Sequence, residues 1–203
     1  FSEEIPARMQ GQAARDLERM ARGGLGKAGL ISEGLKAFAG PRRLALVVEG
    51  LPIAQPEVHE ELKGPKTSAP EQALEGFLRK TGLTREQLTE KDGVYFAHVH
   101  KPGRETTAIV AELVEQIVRG FPWPKSMTWG SGKLRWVRPL KRILCVFNRE
   151  IVPFAIDGIE SGDLSEGHRF MAETRVFRAR DFDEYHEALA GHCDEINVTI
   201  HPD

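Results

Sequence analysis

Two apolar stripes at helical spacing, set among short strand-like runs, place the strongest limit on what this chain can fold into. Ile5, Met9, Ala13, Leu17 and Ala21 recur every four residues, which lines one face of a helix. Pro6 near the start of that run suits a first helical turn, where a missing N–H costs nothing. Further along, Ile109, Leu113 and Ile117, with the adjoining column Val110, Val114 and Val118, mark a helix with a wide buried face. Leu44 to Val48 reads as a buried strand launched from Gly40-Pro41-Arg42-Arg43, and Val94 to His100 as another. Ile143 to Phe147 and Ile151 to Ile156, joined by Asn148-Arg149-Glu150, read as a hairpin. Pro153 cannot donate to a ladder, so its strand is expected at an edge or with a bulge. Helices and strands mix without a regular repeat or internal duplication, which predicts a mixed α+β fold.

Smaller features refine this. Four glycines between Gly23 and Gly29 are expected to end the first helix. Ser68-Ala69-Pro70-Glu71 fits a capping box ahead of Leu74, Phe77 and Leu78, and Thr84 with Gln87 repeats that start for a shorter helix. Phe182 to Leu189 is helical in pattern, and Ile196, Val198 and Ile200 alternate like a final strand. With 203 residues, 40% hydrophobic and 29% charged, the chain can bury a real core, and it is read as one composite α+β domain over 1–203. No run approaches the roughly 18 apolar residues a membrane span needs. Phe1-Ser2-Glu3-Glu4 lacks the basic and apolar parts of a signal peptide, so the expectation is a soluble, cytoplasmic protein with no membrane partner. Opening on Phe1, inside what looks like a motif already under way, the chain reads as part of something longer.

Net charge is only -2, and it hides an uneven distribution. No acidic residue occurs between Glu115 and Glu150, a stretch that holds Arg119, Lys125, Lys133, Arg135, Arg138, Lys141, Arg142 and Arg149 with Trp123, Trp129 and Trp136. Cations interleaved with aromatic rings suit RNA, whose phosphates need charge and whose unpaired bases stack. Beyond Arg180 there are seven acidic residues and no Lys or Arg, so that end is a poor phosphate binder. Gly40-Pro41 sets a turn, and adjacent arginines entering a strand point to opposite sides. At least one of Arg42 and Arg43 is therefore expected to be exposed to a partner. Glu3-Glu4 before the first helix can complement its dipole and cap its free amides.

Chemistry-bearing motifs are sparse. Gly130-Ser131-Gly132-Lys133 fails as a phosphate loop, because Met127 holds the place of the first glycine. G-x-S-x-G, HExxH and GxGxxG do not occur. His98 and His100 share a strand face, yet no nearby carboxylate or thiol pattern completes a ligand set, so no metal site is assigned. Cys145, within Ile-Leu-Cys-Val-Phe, reads as a small buried hydrophobe. His192-Cys193 would point to opposite faces of a strand, which argues against a nucleophile pair. Two cysteines build neither a disulfide framework nor a CxxC site.

Six motifs in order carry a resemblance: Phe-Ser-Glu-Glu-Ile-Pro at 1–6, Gly-Pro-Arg-Arg-Leu-Ala-Leu at 40–46, Lys-Gly-Pro at 63–65, Pro-Lys-Ser-Met-Thr-Trp-Gly at 124–130, Trp-Val-Arg-Pro-Leu at 136–140 and Gly-His-Arg-Phe-Met at 167–171. Together they resemble the amino-terminal region of the beta subunit of bacterial heterotetrameric glycyl-tRNA synthetase. The resemblance implies an enzyme of two alpha and two beta subunits that joins glycine to its tRNA using ATP. It places the catalytic core, with ATP and Mg2+, on alpha, and gives beta a tRNA-binding or scaffolding part with no catalytic residue or cofactor of its own here. It also implies a fold like the editing-type module of the phenylalanyl-tRNA synthetase beta subunit, hence an alternative reading as a hydrolytic site for mischarged tRNA. Glu3, Glu4, His168 and Arg169 are the motif-borne candidates for that chemistry. Glycine is the smallest amino acid, so steric exclusion makes a second sieve less needed. The preferred candidates for RNA or partner binding are Arg42, Arg43, Lys63, Lys125, Trp129, Arg135, Arg138, His168 and Arg169; if Arg42, Arg43, Lys63, Lys125, Arg135, Arg138 and Arg169 converge on one face, they form a patch able to follow an RNA backbone.

Overall fold

The computed structural model describes residues 1–167 and 176–191. Helices and short sheets alternate through them, which is the mixed α+β class predicted. The chain divides into two compact units, one built from Phe1–Ile53 with Glu105 onward, the other from Ala54–Arg104. The expected final strand at Ile196, Val198 and Ile200, like His192-Cys193, lies outside the described residues.

The first unit begins with α1 (Ala7–Lys27), which buries Met9, Ala13, Ala21 and Leu25. Pro6 is its N-cap, and no side chain caps its amides. Glu3 instead pairs with Lys141 and lies 4.0 Å from Arg42, so the expected dipole-capping role is displaced by ion pairing. The helix also runs on through Gly23, Gly24 and Gly26. Interior glycine costs about 1 kcal/mol against alanine, but burial offsets it here: Leu25 packs with Leu30 and Ile109. A Cβ on Gly24 would sit 2.1 Å from Leu113 Cδ1, so the bare backbone permits close approach to α3 (Thr106–Gly120). Only Gly29 stops the helix. Its φ is +69°, and the bonds Leu30 N–H to Leu25 O and Gly29 N–H to Gly26 O, both 3.0 Å, make a Schellman cap.

Two strands follow, β1 (Gly34–Ala39) and β2 (Leu44–Glu49), paired antiparallel from Gly34 opposite Glu49 to Ala39 opposite Leu44. Gly40 N–H to Arg43 O, 2.9 Å, closes the turn. The start of α3 is anchored by buried Thr106, whose hydroxyl donates to Pro52 O and whose N–H donates to Ile53 O at 2.8 Å. The main core unites Ile5, Met9, Ala13, Ile117, Phe121, Leu134, Trp136, Val137 and Ile156.

Beyond α3 the strands are short. The run expected as one strand, Ile143 to Phe147, divides at Cys145 into β3 (Ile143–Leu144) and β4 (Val146–Phe147). Cys145 N–H donates to Gly162 O, and its carbonyl accepts from Val152 N–H, both at 3.0 Å, so one residue serves two partners. A two-residue turn joins β4 to β5 (Glu150–Ile151), because Asn148 and Arg149 both take positive φ, 50° and 66°, as a type I′ turn requires. Glu150 therefore belongs to the strand rather than to the turn. Pro153 falls between β5 and β6 (Ala155–Ile156). Ser161 Oγ bonds both sides of it, donating to Val152 O at 2.6 Å and accepting from Phe154 N–H at 2.9 Å. The missing donor is thereby bypassed. β7 (Ile159–Gly162) pairs antiparallel with β6 and parallel with β3. β8 (Leu164–Glu166) pairs with β9 (Val176–Arg178), and α4 (Phe182–Gly191) closes the described chain. Burial pushes the Cys145 thiol up to about 12. At pH 8 it is expected to alkylate at least ~100-fold more slowly with iodoacetamide than an ordinary free thiol near 8.5. Peptide mass spectrometry before and after unfolding in urea measures this; equal rates in both states would refute it.

The second unit is an antiparallel sheet in which β12 (Val94–Lys101) is central, flanked by β10 (Val58–Lys66) and β11 (Leu88–Lys91). Ala97 of the middle strand is fully buried. α2 (Glu71–Thr81) packs on β10, with the Phe77 ring over Gly64. Its N-cap is Pro70, so the Ser68 capping box does not form. The box at Thr84 and Gln87 does, with Thr84 N–H to Gln87 Oε1 at 2.9 Å, but it opens a single 3-10 turn, Arg85–Gln87. Among the described residues, no helix is long and apolar enough to cross a membrane.

Candidate nucleic-acid interface

The acid-free stretch is where the sequence predicts a phosphate surface, and folding brings carboxylates to much of it. Lys141 pairs with Glu3, Arg142 with Glu166 at 3.4 Å, Arg119 with Glu115 at 2.9 Å, and Arg149 with both Asp181 and Glu184. Arg180 and Arg149 together hold the Glu184 carboxyl down to about 2. These cations are neutralised by partners remote in sequence, apart from Glu115.

The remaining cations of the window cluster in the segment after α3. Lys125, Lys133 and Arg135 are exposed, and none pairs with a carboxylate among the described residues. The backbone beneath them is fixed. Met127 and Trp136 exchange N–H to O bonds of 2.8 and 3.1 Å, and the Asp157 carboxylate accepts from Lys133 and Leu134 N–H, both at 3.4 Å. A Cβ at Gly132 would lie 2.0 Å from Asp157 Oδ2, so glycine is what lets that carboxylate in. Arg135 Nε also donates to Ser126 Oγ at 3.3 Å. Lys133, not among the sequence candidates, joins this group; its place beside Lys125 and Arg135 in the same window was the available sign.

The aromatics divide between core and rim. Trp136 is 5% exposed and packs tilted against Phe121 and edge-to-face against Trp123, ring centroids 5.2 and 5.0 Å apart. Trp129 is half-buried against the same core. All three tryptophans thus pack on this core, and Trp129 is the one that lies within the stretch 125–135.

The other candidates lie elsewhere. Arg42, 12% exposed in its side chain, has all three guanidinium nitrogens buried without a hydrogen bond. Arg43 donates to Glu166 O at 3.1 Å and to the Tyr185 hydroxyl at 3.4 Å. Both arginines turn inward, against the expectation that one is exposed, because the hairpin turn inserts them between the amino-terminal segment and β8. Arg138 is half-buried and donates to Val137 O at 2.8 Å. With Glu4 and Pro41 it borders a shallow hollow at the start of α1. Lys63 is exposed on β10 of the second unit. His168 and Arg169 lie outside the described residues. Within the first unit, Arg42 and Arg43 are therefore not exposed as Lys125 and Arg135 are.

Three of the six motifs meet at one place. Ser2 N–H donates to Arg42 O at 2.8 Å, Glu3 N–H to Pro139 O at 3.0 Å, and Lys141 N–H to Phe1 O at 3.0 Å. The segments 1–6, 40–46 and 136–140 thus bond to one another, and they hold the loop bearing Lys125 and Arg135. The family model for the glycyl-tRNA synthetase beta subunit matches residues 1–200. The chain belongs to the glycyl-tRNA synthetase beta-subunit family. Glycine–tRNA ligase beta subunits similar to it include that of Phenylobacterium zucineum (strain HLK1), 69% identical over 94% of this chain. Those of Ruegeria sp. (strain TM1040) and Dinoroseobacter shibae (strain DSM 16493 / NCIMB 14021 / DFL 12) are 55% and 54% identical over 91% and 93% of it. The chain covers 27–28% of the length of these curated relatives. Within this family region, Arg42 and Arg43 turn inward, while Lys125, Lys133 and Arg135 are exposed.

Proposed function

We propose that this chain contributes to the attachment of glycine to its tRNA as a tRNA-positioning part of a beta subunit. Its partner in this reading is the alpha subunit of an alpha2beta2 assembly, which holds ATP and Mg2+ and performs the chemistry in the cytoplasm. The observation that carries the proposal is the loop with Lys125, Lys133 and Arg135 exposed beside Trp129. Such a group can follow an RNA backbone through counterion release while one ring offers a stacking face. Its backbone is held in advance by the Met127–Trp136 pair and by Asp157, which reduces the ordering cost of binding.

The test is titration of tRNA into the assembled full-length enzyme at two salt concentrations. Lys125→Ala with Arg135→Ala is expected to weaken binding of different tRNAs by a common factor and to reduce the salt slope by about 2, one for each phosphate left without its cation. Unchanged affinity and slope would overturn the proposal. If the same substitutions instead release alpha in a pull-down while tRNA affinity stays the same, the loop is a docking face for protein.

A further inference from the structure

The sheet of the second unit brings together three residues that are scattered in the sequence. In the register of β10 against β12, His59 stands directly opposite His100. Their rings lie 4.6 Å apart, centroid to centroid. Glu57, just before β10, reaches the same point: its Oε2 is 3.0 Å from His100 Nε2 and 3.8 Å from His59 Nε2. The three donor atoms all fall within 4.8 Å of one another.

Spacing explains why these residues meet and His98 does not join them. Residues two apart on a strand are separated by about 6.6 Å, whereas opposed residues on paired strands have Cβ atoms about 5 Å apart. His98 faces Glu61 across the ladder instead. The opposite face of the sheet is occupied by α2, where Phe77 lies over Gly64, and the histidine face is exposed. Two imidazole nitrogens and a carboxylate oxygen form a ligand set used for zinc. Around an ion with bonds of about 2.1 Å, tetrahedral donors are roughly 3.4 Å apart, a value that the 3.0 and 3.8 Å separations bracket. Imidazole donors favour such a transition ion over Mg2+ or Ca2+.

We propose that Glu57, His59 and His100 form a binding site for a divalent transition-metal ion of the zinc type, with its fourth position open to water. The bound ion ties the start of edge strand β10 to central strand β12 and covers the end of an otherwise exposed ladder. This site is independent of the tRNA reading.

The experiment is a Zn2+ titration of the full-length subunit, stripped with a chelator, in competition with a chromophoric chelator. His59→Gln and His100→Gln are each expected to bind one equivalent fewer than the unaltered subunit, and Glu57→Gln to bind that equivalent more weakly. His98→Gln should retain it. Co2+ in place of Zn2+ should give a visible d–d spectrum that the His100→Gln variant lacks. All three side chains are exposed, so the variants are expected to keep the far-ultraviolet circular dichroism of the parent. Equal Zn2+ stoichiometry in the parent and in both histidine variants, or an equal loss in His98→Gln, would overturn the site.

Discussion

Replacing Trp136 by alanine is expected to cost about 3–5 kcal/mol of unfolding free energy, among the largest effects available to one substitution in this chain. The side chain is 5% exposed and packs against both Phe121 and Trp123, so truncation removes both apolar burial and ring packing. The indole also lies in the core with Ile5, Ile117 and Ile156, residues drawn from three separate stretches of sequence, which limits how far the walls can collapse into the void. Because the Trp136 backbone pairs with Met127, loosening this residue should also loosen the loop that carries Lys125 and Arg135. The measurement is urea denaturation followed by circular dichroism, which does not depend on the tryptophan that is removed. Trp136→Phe should recover part of the loss. A loss under about 1 kcal/mol would mean that the cluster is not the centre of this core.

Gly103→Ala should produce the second large effect, by a different route. A Cβ there would stand 1.8 Å from the carbonyl oxygen of Gln55 and 2.6 Å from its carbon. Both are backbone atoms, so no rotamer change relieves the clash and one chain segment must move. The segment that moves also breaks the bonds from Gln55 N–H to Arg104 O at 2.9 Å and from Arg104 N–H to Gln55 Oε1 at 3.1 Å. The expected cost is about 1–3 kcal/mol or more. It should appear as faster limited proteolysis within Ala54–Arg104. Gly24→Ala is the informative control, since its 2.1 Å approach is to Leu113 Cδ1, the end of a side chain that can rotate away. If the two substitutions cost the same, the distinction between backbone and side-chain obstruction fails.

The sequence by itself determined the elements whose cause is local. α1 and α3 are legible because a 3.6-residue period writes the buried face directly into residue spacing, and β2 and β12 because apolar runs bounded by turn residues have few alternatives. The turn at Asn148-Arg149 is visible within one residue, and six ordered motifs are enough to place the chain in its family. Tertiary structure decided what depends on partners distant along the chain. Gly23, Gly24 and Gly26 look like helix breakers until Leu25 and α3 bury against that stretch, leaving Gly29 to end it. β10 and β11 are polar strands whose identity comes from pairing with β12, not from their own composition. The cations between Glu115 and Glu150 look like one basic field because a sequence window counts only its neighbours. Glu3, Glu166, Asp181 and Glu184 lie outside that window, and they pair with Lys141, Arg142 and Arg149. Strand alternation sends one of Arg42 and Arg43 to the outside, which holds for a strand with one solvated face; here the turn before β2 is packed on both sides. His59 and His100 are forty-one residues apart, and only the β10–β12 register makes them neighbours. Periodicity and turn chemistry act over a few residues and can be read in order, whereas charge neutralisation, burial of a turn and strand register are properties of contacts, and contacts exist only once the chain has folded.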